Sequence, residues 1–247
     1  MNIQGKVALI TGGVSGIGRA TALKLAAQGA GIVINYSKSE EEAVQAAEEI
    51  GQHGVEVIVC KADVSQEEEV KVMYEKIMEH FGRIDIIVNS AGTTDYVPLT
   101  DLDGMQDVFW DRAFNTNVKG IFHTVRICKD ELKRNKGCVI NVTSIAGLTG
   151  QGSSIAYAAS KAAANSVTKT LAIALAPEVR VNAVAPGVVM TRWVAGKEDH
   201  VQRLSQGTPL GRPAEAEDVA QAIISLITGG DFITGQILVV DGGFTIR

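Results

Sequence analysis

Short apolar runs alternate with amphipathic stretches along most of this 247-residue chain. Several of the runs are almost continuous in Val and Ile, which is typical of parallel strands buried on both faces. Strands that alternate with helices over short links predict an α/β fold, a doubly wound parallel sheet of about seven strands with helices on both faces. The predicted strands are Val7–Thr11, Gly31–Tyr36, Val55–Lys61, Ile84–Asn89, Cys138–Thr143, Val179–Val184 and Gln236–Val240.

Two serines mark where helices are predicted to begin. Ser39 and Ser65 each precede a glutamate by three residues. This is the pattern of a capping box, in which the serine and the glutamate each bind the other's backbone N–H. We therefore expect these two boxes to open the second and third helices.

Residues 190–211 break the alternation, because they follow a strand but show little apolar periodicity. An irregular stretch of this length at the carboxyl end of a strand predicts a lid over a binding site. No linker and no repeat interrupts residues 1–247, so we predict one catalytic domain that carries this lid.

Composition argues against several classes of protein. The formal net charge of −5 disfavours a nucleic-acid binder, which usually carries a basic excess. No long apolar run and no signal peptide is visible, so we expect no membrane attachment and a cytoplasmic location. The three cysteines lack metal-ligand spacing, and we expect free thiols in a reducing cytosol and no metal site.

A glycine-rich loop, TGGVSGIG at residues 11–18, joins the first strand to the first helix. Gly12 allows a tight turn, while Gly16 and Gly18 let the backbone approach a pyrophosphate. The helix start then offers unpaired N–H groups to this anion. The loop therefore predicts a Rossmann-like dinucleotide site.

The end of the second strand bears on which dinucleotide is bound. An acidic residue there would bind the ribose 2′-hydroxyl and repel a 2′-phosphate, but Tyr36, Ser37 and Lys38 occupy the position. Ser37 and Lys38 could bind a 2′-phosphate, which favours NADP(H) over NAD(H). The alternative is that Lys38 is only a solvated loop residue.

Tyr157 and Lys161 lie four residues apart in YAASK and would share one face of a helix. A free tyrosine has a pKa of about 10, and a nearby ammonium should lower it, which would make a general acid/base. Ser144, at the end of the fifth strand, could bind a substrate oxygen beside the phenol. Taken alone, the Tyr–Lys spacing would more often be an exposed helix pair.

Together these features resemble the short, single-domain branch of the short-chain dehydrogenase/reductases, and the chain is similar to 3-oxoacyl-[acyl-carrier-protein] reductases and related alcohol and carbonyl dehydrogenases. One departure is Asn89-Ser90, where the family often has two asparagines. The matching blocks, in order, are TGGVSGIG (11–18), Asp63-Val64, VNSAG (88–92), FNTNVKG (114–120), VTSIAG (142–147), YAASK (157–161), VNAVAPG (181–187) with Thr191, and ITGQILVVDGG (233–243).

The resemblance implies four catalytic residues. Tyr157 would be the acid/base, Lys161 would lower its pKa and hold the nicotinamide ribose, and Ser144 would orient the substrate oxygen. Asn117 would hold a water that links Lys161 to solvent. The cofactor contacts implied are Gly12, Ser15, Gly16, Ile17, Gly18, Tyr36, Ser37, Lys38, Asp63, Val64, Asn89, Ala91, Gly92, Tyr157, Lys161, Pro186, Gly187, Val189 and Thr191.

The expected substrate is a ketone or secondary alcohol, because the residues expected around the pocket are mostly apolar or neutral. Ser144, Tyr157, Gln151 and Trp193 are the predicted substrate contacts. The further expected lining residues are Thr94–Val97, Ile145–Gly147, Gly152, Ser153 and Val188.

Two alternatives stay open. A 3-oxoacyl-[acyl-carrier-protein] reductase would need a basic patch for its acidic partner, and Arg126, Lys129, Lys133, Arg134 and Lys136 supply positive charge, although such charges commonly complement a helix dipole. Against that reading, TTDYVPL (93–99) lacks the basic residue that those reductases often carry. A non-catalytic nucleotide-binding scaffold is the remote alternative, which the complete catalytic set disfavours. The resemblance also implies a homotetramer, built on the helices around 115–135 and 154–176.

Overall fold

The computed structural model describes residues 1–191 and 208–246. Its centre is a parallel sheet of seven strands in the order β3-β2-β1-β4-β5-β6-β9. All seven predicted strands are confirmed, and their ends shift by at most two residues. The strands are β1 (Val7–Thr11), β2 (Gly31–Tyr36), β3 (Val57–Lys61), β4 (Ile86–Asn89), β5 (Cys138–Val142), β6 (Arg180–Pro186) and β9 (Ile237–Val240).

A small second sheet was not predicted. Its strands β7 (Val189–Met190) and β8 (Ala214–Glu215) pair in parallel, with Val189 opposite Ala214. The predicted lid at 190–211 lies between them, and most of it is outside the described residues. The two chain segments that flank the lid are therefore held side by side.

Helices cover both faces of the main sheet, as predicted. They are α1 (Gly16–Ala26), α2 (Glu40–Gly51), α3 (Glu67–Phe81), α4 (Asp107–Phe114), α5 (Gly120–Arg134), α6 (Ala146–Thr149), α7 (Ile155–Leu175) and α8 (Ala216–Thr228). A π-helical turn, Asn115–Lys119, joins α4 to α5, and a 3₁₀ turn covers Phe244–Ile246.

The predicted capping boxes do not form as expected. Ser39 is the N-cap residue of α2, but its side chain does not make the cap hydrogen bond. Helix α3 begins at Glu67 with Gln66 at its N-cap, so the box of Ser65 and Glu68 is wrong. The reason is a turn at Asp63, whose carboxylate accepts a hydrogen bond from the Ser65 N–H at 2.9 Å. This turn delays the start of the helix.

Strand β1 shows how the two cores are divided. Ala8 and Ile10 point to one face of the sheet, where they pack with residues of α1, α2 and α8. Val7 and Leu9 point to the other face, which α3, α5 and α7 cover. Burying one such aliphatic side chain stabilises the fold by about 1.5–3 kcal/mol, so both layers contribute to the free energy of unfolding.

The cysteines lie inside this core. Cys60, Cys128 and Cys138 are buried free thiols, which confirms the predicted state. Burial raises the pKa of Cys128 to about 12 and that of Cys138 to about 11, so these thiols are unreactive at neutral pH. No helix in the described part of the chain has both the length and the apolar character needed to cross a membrane.

A cluster of ions around the buried Asp85 carboxylate holds the amino ends of the central strands. The Asp85 carboxylate is fully buried and accepts hydrogen bonds from the Val7 N–H at 3.0 Å and from Arg83 Nε at 2.8 Å. Lys6 Nζ lies 3.2 Å from the same carboxylate. Burial alone would raise the pKa of Asp85, but the hydrogen bonds from Arg83 and Val7 lower it below its usual value. This cluster fixes the starts of β1 and β4 relative to each other.

Candidate active site

The glycine loop packs tightly between β1 and α1. Gly12 has φ +63°, a conformation that favours glycine, and a Cβ there would lie 3.0 Å from the Ala91 backbone. A Cβ on Gly18 would lie 2.4 Å from the Gly12 carbonyl oxygen. Ser15 makes no side-chain cap hydrogen bond, and the first turn of α1 carries no acidic residue. This helix start therefore fits the pyrophosphate of a dinucleotide.

A cleft of about 720 Å³ runs from this loop across the carboxyl ends of the sheet strands. Among the predicted cofactor residues, all but Gly18 and Asn89 line it. The lining set is Gly12, Ser15, Gly16, Ile17, Tyr36, Ser37, Lys38, Asp63, Val64, Ala91, Gly92, Tyr157, Lys161, Pro186, Gly187, Val189 and Thr191. Gly18 packs on Gly12, and the Asn89 amide faces the core instead.

Asn89 belongs to a buried chain of hydrogen bonds on the face of the sheet that α5 and α7 cover. Its Nδ2 donates to Asn141 Oδ1 at 2.9 Å, and its Oδ1 accepts from Thr124 Oγ1 at 2.7 Å. Asn141 Nδ2 donates in turn to Thr168 Oγ1 at 2.9 Å. The chain ties β4 and β5 to α5 and α7, so the side chain of Asn89 supports the frame of the site from within the core.

At the far end of the cleft, Ser37 and Lys38 are exposed, whereas Tyr36 is only 8% exposed and packs in the core. Asn35 fixes this end, since its Nδ2 donates to the Cys60 and Ala62 carbonyl oxygens at 3.2 and 2.9 Å. The side chains available to a ligand after β2 are therefore a hydroxyl and an ammonium.

Tyr157 and Lys161 share one face of α7, as predicted. The helix begins at a fixed point, because the Ser154 hydroxyl accepts a hydrogen bond from the Tyr157 N–H at 3.2 Å. Lys161 is 4% exposed, and its Nζ donates to the Val142 carbonyl oxygen at 2.9 Å. The same Nζ lies 5.7 Å from the centre of the Tyr157 ring. Burial lowers the pKa of Lys161 to about 8.

The pKa of Tyr157 does not follow the sequence prediction. Lys161 was expected to lower it, but burial raises it to about 12, while a hydrogen bond with Ser144 acts in the opposite direction. The reason is that the ammonium is bound to the Val142 carbonyl oxygen, and the protein atoms packed around the phenol displace much of its water. Loss of solvation therefore penalises the phenolate more than its neighbours stabilise it.

Ser144 is the second residue after β5 and its side chain reaches Tyr157, as its predicted role requires. Its Oγ accepts a hydrogen bond from the Ala146 N–H at 3.1 Å. Thr143, the residue before it, donates to the Val184 carbonyl oxygen from both its N–H at 2.8 Å and its Oγ1 at 3.0 Å. The serine hydroxyl is thus held beside the phenol by β5, β6 and the start of α6.

Asn117 lies in the π-helical turn and is 1% exposed. Its Oδ1 accepts from the Thr93 N–H at 2.9 Å, and its Nδ2 donates to the Thr93 carbonyl oxygen at 3.0 Å and to Ser160 Oγ at 2.9 Å. Ser160 Oγ donates to the Tyr157 carbonyl oxygen at 2.7 Å. The side chain thus connects the segment after β4 to the helix that carries Tyr157.

Comparison with known proteins identifies this arrangement. A family model described as enoyl-(acyl carrier protein) reductase matches residues 12–245. The 3-oxoacyl-[acyl-carrier-protein] reductase FabG of Thermotoga maritima is 36% identical over 250 aligned positions, which cover 100% of both chains. The corresponding FabG of Staphylococcus epidermidis is 36% identical over 242 positions, covering 96% of this chain and 98% of the other.

A solved structure agrees with the sequence comparison. The short-chain type dehydrogenase/reductase from Mycobacterium marinum superposes with a TM-score of 0.92 at 30% identity, covering 100% of this chain and 98% of that one. The chain belongs to the short-chain dehydrogenase/reductase family. The resemblance drawn from the sequence blocks is therefore confirmed, and this short-chain dehydrogenase/reductase is a nicotinamide-dependent oxidoreductase.

The substrate end of this dehydrogenase/reductase is only partly as predicted. Tyr96, Ser153 and Val188 line the cleft next to Tyr157. Gln151 is exposed and is not among the described residues that line the cleft, and Trp193 lies outside the described residues. The roles assigned to these two residues stay predictions.

Several lining residues were not predicted, namely Val14, Asn35, Ser39, Ala62, Ser90, Thr93, Arg112, Thr116, Val142 and Thr143. Half of them lie at the end of a strand or directly after one, namely Asn35, Ala62, Ser90, Val142 and Thr143, so their position at the carboxyl edge could have indicated them. Arg112 is different, because it lies on α4 and reaches the cleft only through the packing of that helix.

The basic cluster at the end of α5, which could bind an acidic partner, has fewer unpaired positive charges than its sequence suggests. Arg126 forms an ion pair with Glu67, Lys129 with Asp130, and Arg134 with Glu131. These pairs place negative charge beside the basic groups, so the end of α5 is a mixed surface.

Proposed function

We propose that this oxidoreductase reduces a ketone to a secondary alcohol, and catalyses the reverse reaction, with Tyr157 as the general acid/base. The observation that carries the proposal is the hydrogen bond between the Tyr157 and Ser144 hydroxyls beside the buried Lys161. Both hydroxyls can bind one carbonyl oxygen, which orients the substrate and polarises its carbonyl group.

The phenol of Tyr157 is the proposed source of the proton. With a pKa of about 12, Tyr157 keeps its proton at neutral pH and can deliver it to the oxygen of the reduced carbonyl. A nicotinamide cofactor, when bound, supplies the hydride to the carbonyl carbon. The Lys161 ammonium stabilises the phenolate that is left, and proton return restores the phenol.

Asn117 is proposed to contribute to proton return, as the family resemblance implies. Its side-chain amide is bound to Thr93 and Ser160, so a water could be held only by the backbone carbonyl groups of the π-helical turn. A π turn shifts carbonyl groups away from their usual helical partners, which supports this role.

NADP(H) is the proposed cofactor, in preference to NAD(H). The tight glycine loop fits a pyrophosphate, and Ser37 with Lys38 offers a hydroxyl and a positive charge after β2. Both groups suit a 2′-phosphate, and neither is the carboxylate with which NAD(H)-binding sites usually hold the ribose 2′-hydroxyl.

A second candidate is the reduction of 3-oxoacyl thioesters carried on an acyl carrier protein. It is favoured by the two relatives named 3-oxoacyl-[acyl-carrier-protein] reductase. The ion pairs at the end of α5 weaken the case for this candidate, because they leave less positive charge for an acidic carrier protein than the sequence alone suggested. We also propose one catalytic domain over residues 1–247, a homotetramer, and a cytoplasmic location, the last supported by three buried free thiols.

The test is a turnover screen with NADPH and NADH against ketones, 3-oxoacyl thioesters, steroids and sugars, followed by the Tyr157→Phe variant on the best substrate. We expect turnover to fall by about three orders of magnitude or more with cofactor binding retained, because the phenolic proton is lost. Tyr74→Phe is the control, since Tyr74 lies on α3 away from the cleft. Near-normal turnover in Tyr157→Phe would contradict the proposed role.

A further inference from the structure

An arginine–aspartate pair lies at the substrate end of the cleft. Arg112, on α4, lines the cleft together with Tyr96, Ser144 and Tyr157. Its Nη1 donates to Asp95 Oδ1 at 2.5 Å. The Arg112 side chain is 49% exposed, whereas that of Asp95 is 18% exposed. One side of the guanidinium group is thus held by the protein and another is open to a ligand.

Asp95 is held firmly in relation to the catalytic residues. Two positions before it, the Thr93 backbone is bonded to Asn117 through both its N–H and its carbonyl oxygen. Two positions after it, the Val97 N–H donates to the Ser153 carbonyl oxygen at 3.0 Å. The next residue, Tyr96, is close enough to Tyr157 to raise the pKa of that phenol. Arg112 is therefore fixed near the reacting centre.

The charge of the pair determines what it can bind. Asp95 Oδ2 is buried without a hydrogen-bond partner in the described structure, so Arg112 is the group that compensates this carboxylate. The carboxylate in turn cancels most of the arginine's charge at contact distance. The remaining N–H groups of Arg112 stay available as donors in a fixed plane. Such a site binds a neutral acceptor oxygen better than an anion.

We propose that Arg112, positioned by Asp95, selects ketones that carry a second, neutral carbonyl group, such as an ester, thioester or amide. The reacting carbonyl lies at Ser144 and Tyr157, and the second carbonyl oxygen accepts a hydrogen bond from Arg112. The inference rests on the proposed ketone reduction and adds the class of substrate to it.

The experiment compares three substrates of equal chain length: an unsubstituted ketone, an oxo ester and an oxo acid, with the ester and acid groups tested at several distances from the ketone. In the wild-type protein we expect the highest kcat/KM for one of the oxo esters. Arg112→Gln should lower kcat/KM for that ester by about ten- to a hundredfold, mainly through KM, as loss of a charged hydrogen bond predicts. The kcat/KM for the unsubstituted ketone and the KM for the cofactor should stay unchanged.

Asp95→Asn gives the complementary result. With the carboxylate neutralised, Arg112 keeps its full charge, and kcat/KM for the oxo acid should rise relative to the ester. Arg112→Lys retains a charged donor and should keep part of the ester preference, so the proposal is still tested if Arg112→Gln does not fold.

A matched control is Arg126→Gln. Arg126 also pairs with a carboxylate, Glu67, and lies over a phenylalanine ring at 5.1 Å, as Arg112 does at 5.8 Å, but it does not line the cleft. The Arg126→Gln variant should leave kcat/KM for all three substrates unchanged. An equal effect of Arg112→Gln on all three substrates, or an unchanged ester preference, would overturn the proposal. Absence of turnover with all three ketones in the wild type would instead overturn the proposed function, and this inference with it.

Discussion

Lys161 lowers the stability of the fold through its burial, although its proposed role in catalysis depends on that position. Its ammonium is buried, and its pKa is about 8 in place of 10.5. Keeping it charged in the folded protein at pH 7 therefore costs about 3 kcal/mol. Its hydrogen bond to the Val142 carbonyl oxygen offsets part of this cost. The remainder is the cost of placing a positive charge 5.7 Å from the centre of the ring of Tyr157, the proposed general acid/base.

Replacing Lys161 by Met should stabilise the cofactor-free protein while removing activity. The desolvation cost disappears, but the Val142 carbonyl oxygen loses its partner, so we expect a gain of about 1–2 kcal/mol in the free energy of unfolding at pH 7. Denaturant unfolding measures it. Lys169→Met, on an exposed position of the same helix, should change stability little. A loss of stability in Lys161→Met at pH 7 would show that its charge is not costly.

The pH dependence has a definite sign. Between pH 8 and 10.5 the unfolded chain holds the Lys161 proton more tightly than the folded protein does, so the wild-type stability rises with pH in this window. Tyr157 acts oppositely, since its pKa is raised from 10 to about 12 and its contribution falls only above pH 10. The stability gain of Lys161→Met should therefore shrink between pH 8 and 10. A gain that is constant over this range would contradict the assignment.

Lys38 gives a second prediction, on cofactor choice. Its ammonium is exposed at the end of the cleft, and a charge-assisted hydrogen bond to a 2′-phosphate contributes about 1.5–3 kcal/mol. NADPH should bind more tightly than NADH, and Lys38→Ala should weaken NADPH binding by about ten- to a hundredfold with NADH unchanged. Titration of both reduced cofactors measures this. Lys129→Ala, on α5, is the control, and equal affinities in the wild type would refute the NADP(H) preference.

Residue identity and spacing predicted much of the site but not its energetics. The spacing of Tyr157 and Lys161 was enough to place them on one face of a helix. The direction of the Tyr157 pKa was not predictable, because it depends on burial by residues distant in the chain. Arg112 was missed for the same reason, since nothing in its local sequence shows that α4 turns it towards the cleft.

Among the larger elements, β1, the glycine loop and α1 pack so closely that position 18 requires a glycine, which can be tested. A methyl group there would lie 2.4 Å from the Gly12 carbonyl oxygen, so strand and helix would have to separate. Gly18→Ala should lower the free energy of unfolding by about 1–3 kcal/mol and raise the KM for the cofactor. Gly51→Ala is the control: it lies at the end of α2 with nothing within 4 Å of the new methyl, and should stabilise slightly. Equal stability of Gly18→Ala and the wild type would refute the tight packing.

Strands were easier to predict than the irregular elements. The buried strands can be recognised in the sequence as Val/Ile runs, because both of their faces need apolar side chains. The two-residue strands β7 and β8 are too short for any periodicity and form only because distant segments meet. The π-helical turn at 115–119 likewise has no local pattern, since it depends on how Asn117 is held by Thr93 and Ser160.

For the whole molecule, we expect a tetramer. Val108, Phe122 and Ile173 are large apolar side chains on α4, α5 and α7 that are 49%, 42% and 81% exposed. Contact with another copy through these helices would bury them. Light scattering at micromolar concentration should give four times the 26.1 kDa chain mass, and Phe122→Glu should reduce it. Val72→Lys, at an exposed position on α3, is the control and should leave this mass unchanged. A monomeric wild type would refute the tetramer.

The Asp85 cluster and the cleft lie at opposite ends of the same strands. A strand of five residues separates them by roughly 15 Å, so a substitution along the cleft leaves the bonds of Asp85 to Val7 and Arg83 intact. Exchanges along the cleft can therefore alter specificity during evolution without removing this source of stability. New substrate preferences can arise at one edge of the sheet, while the bonds at the other edge are kept.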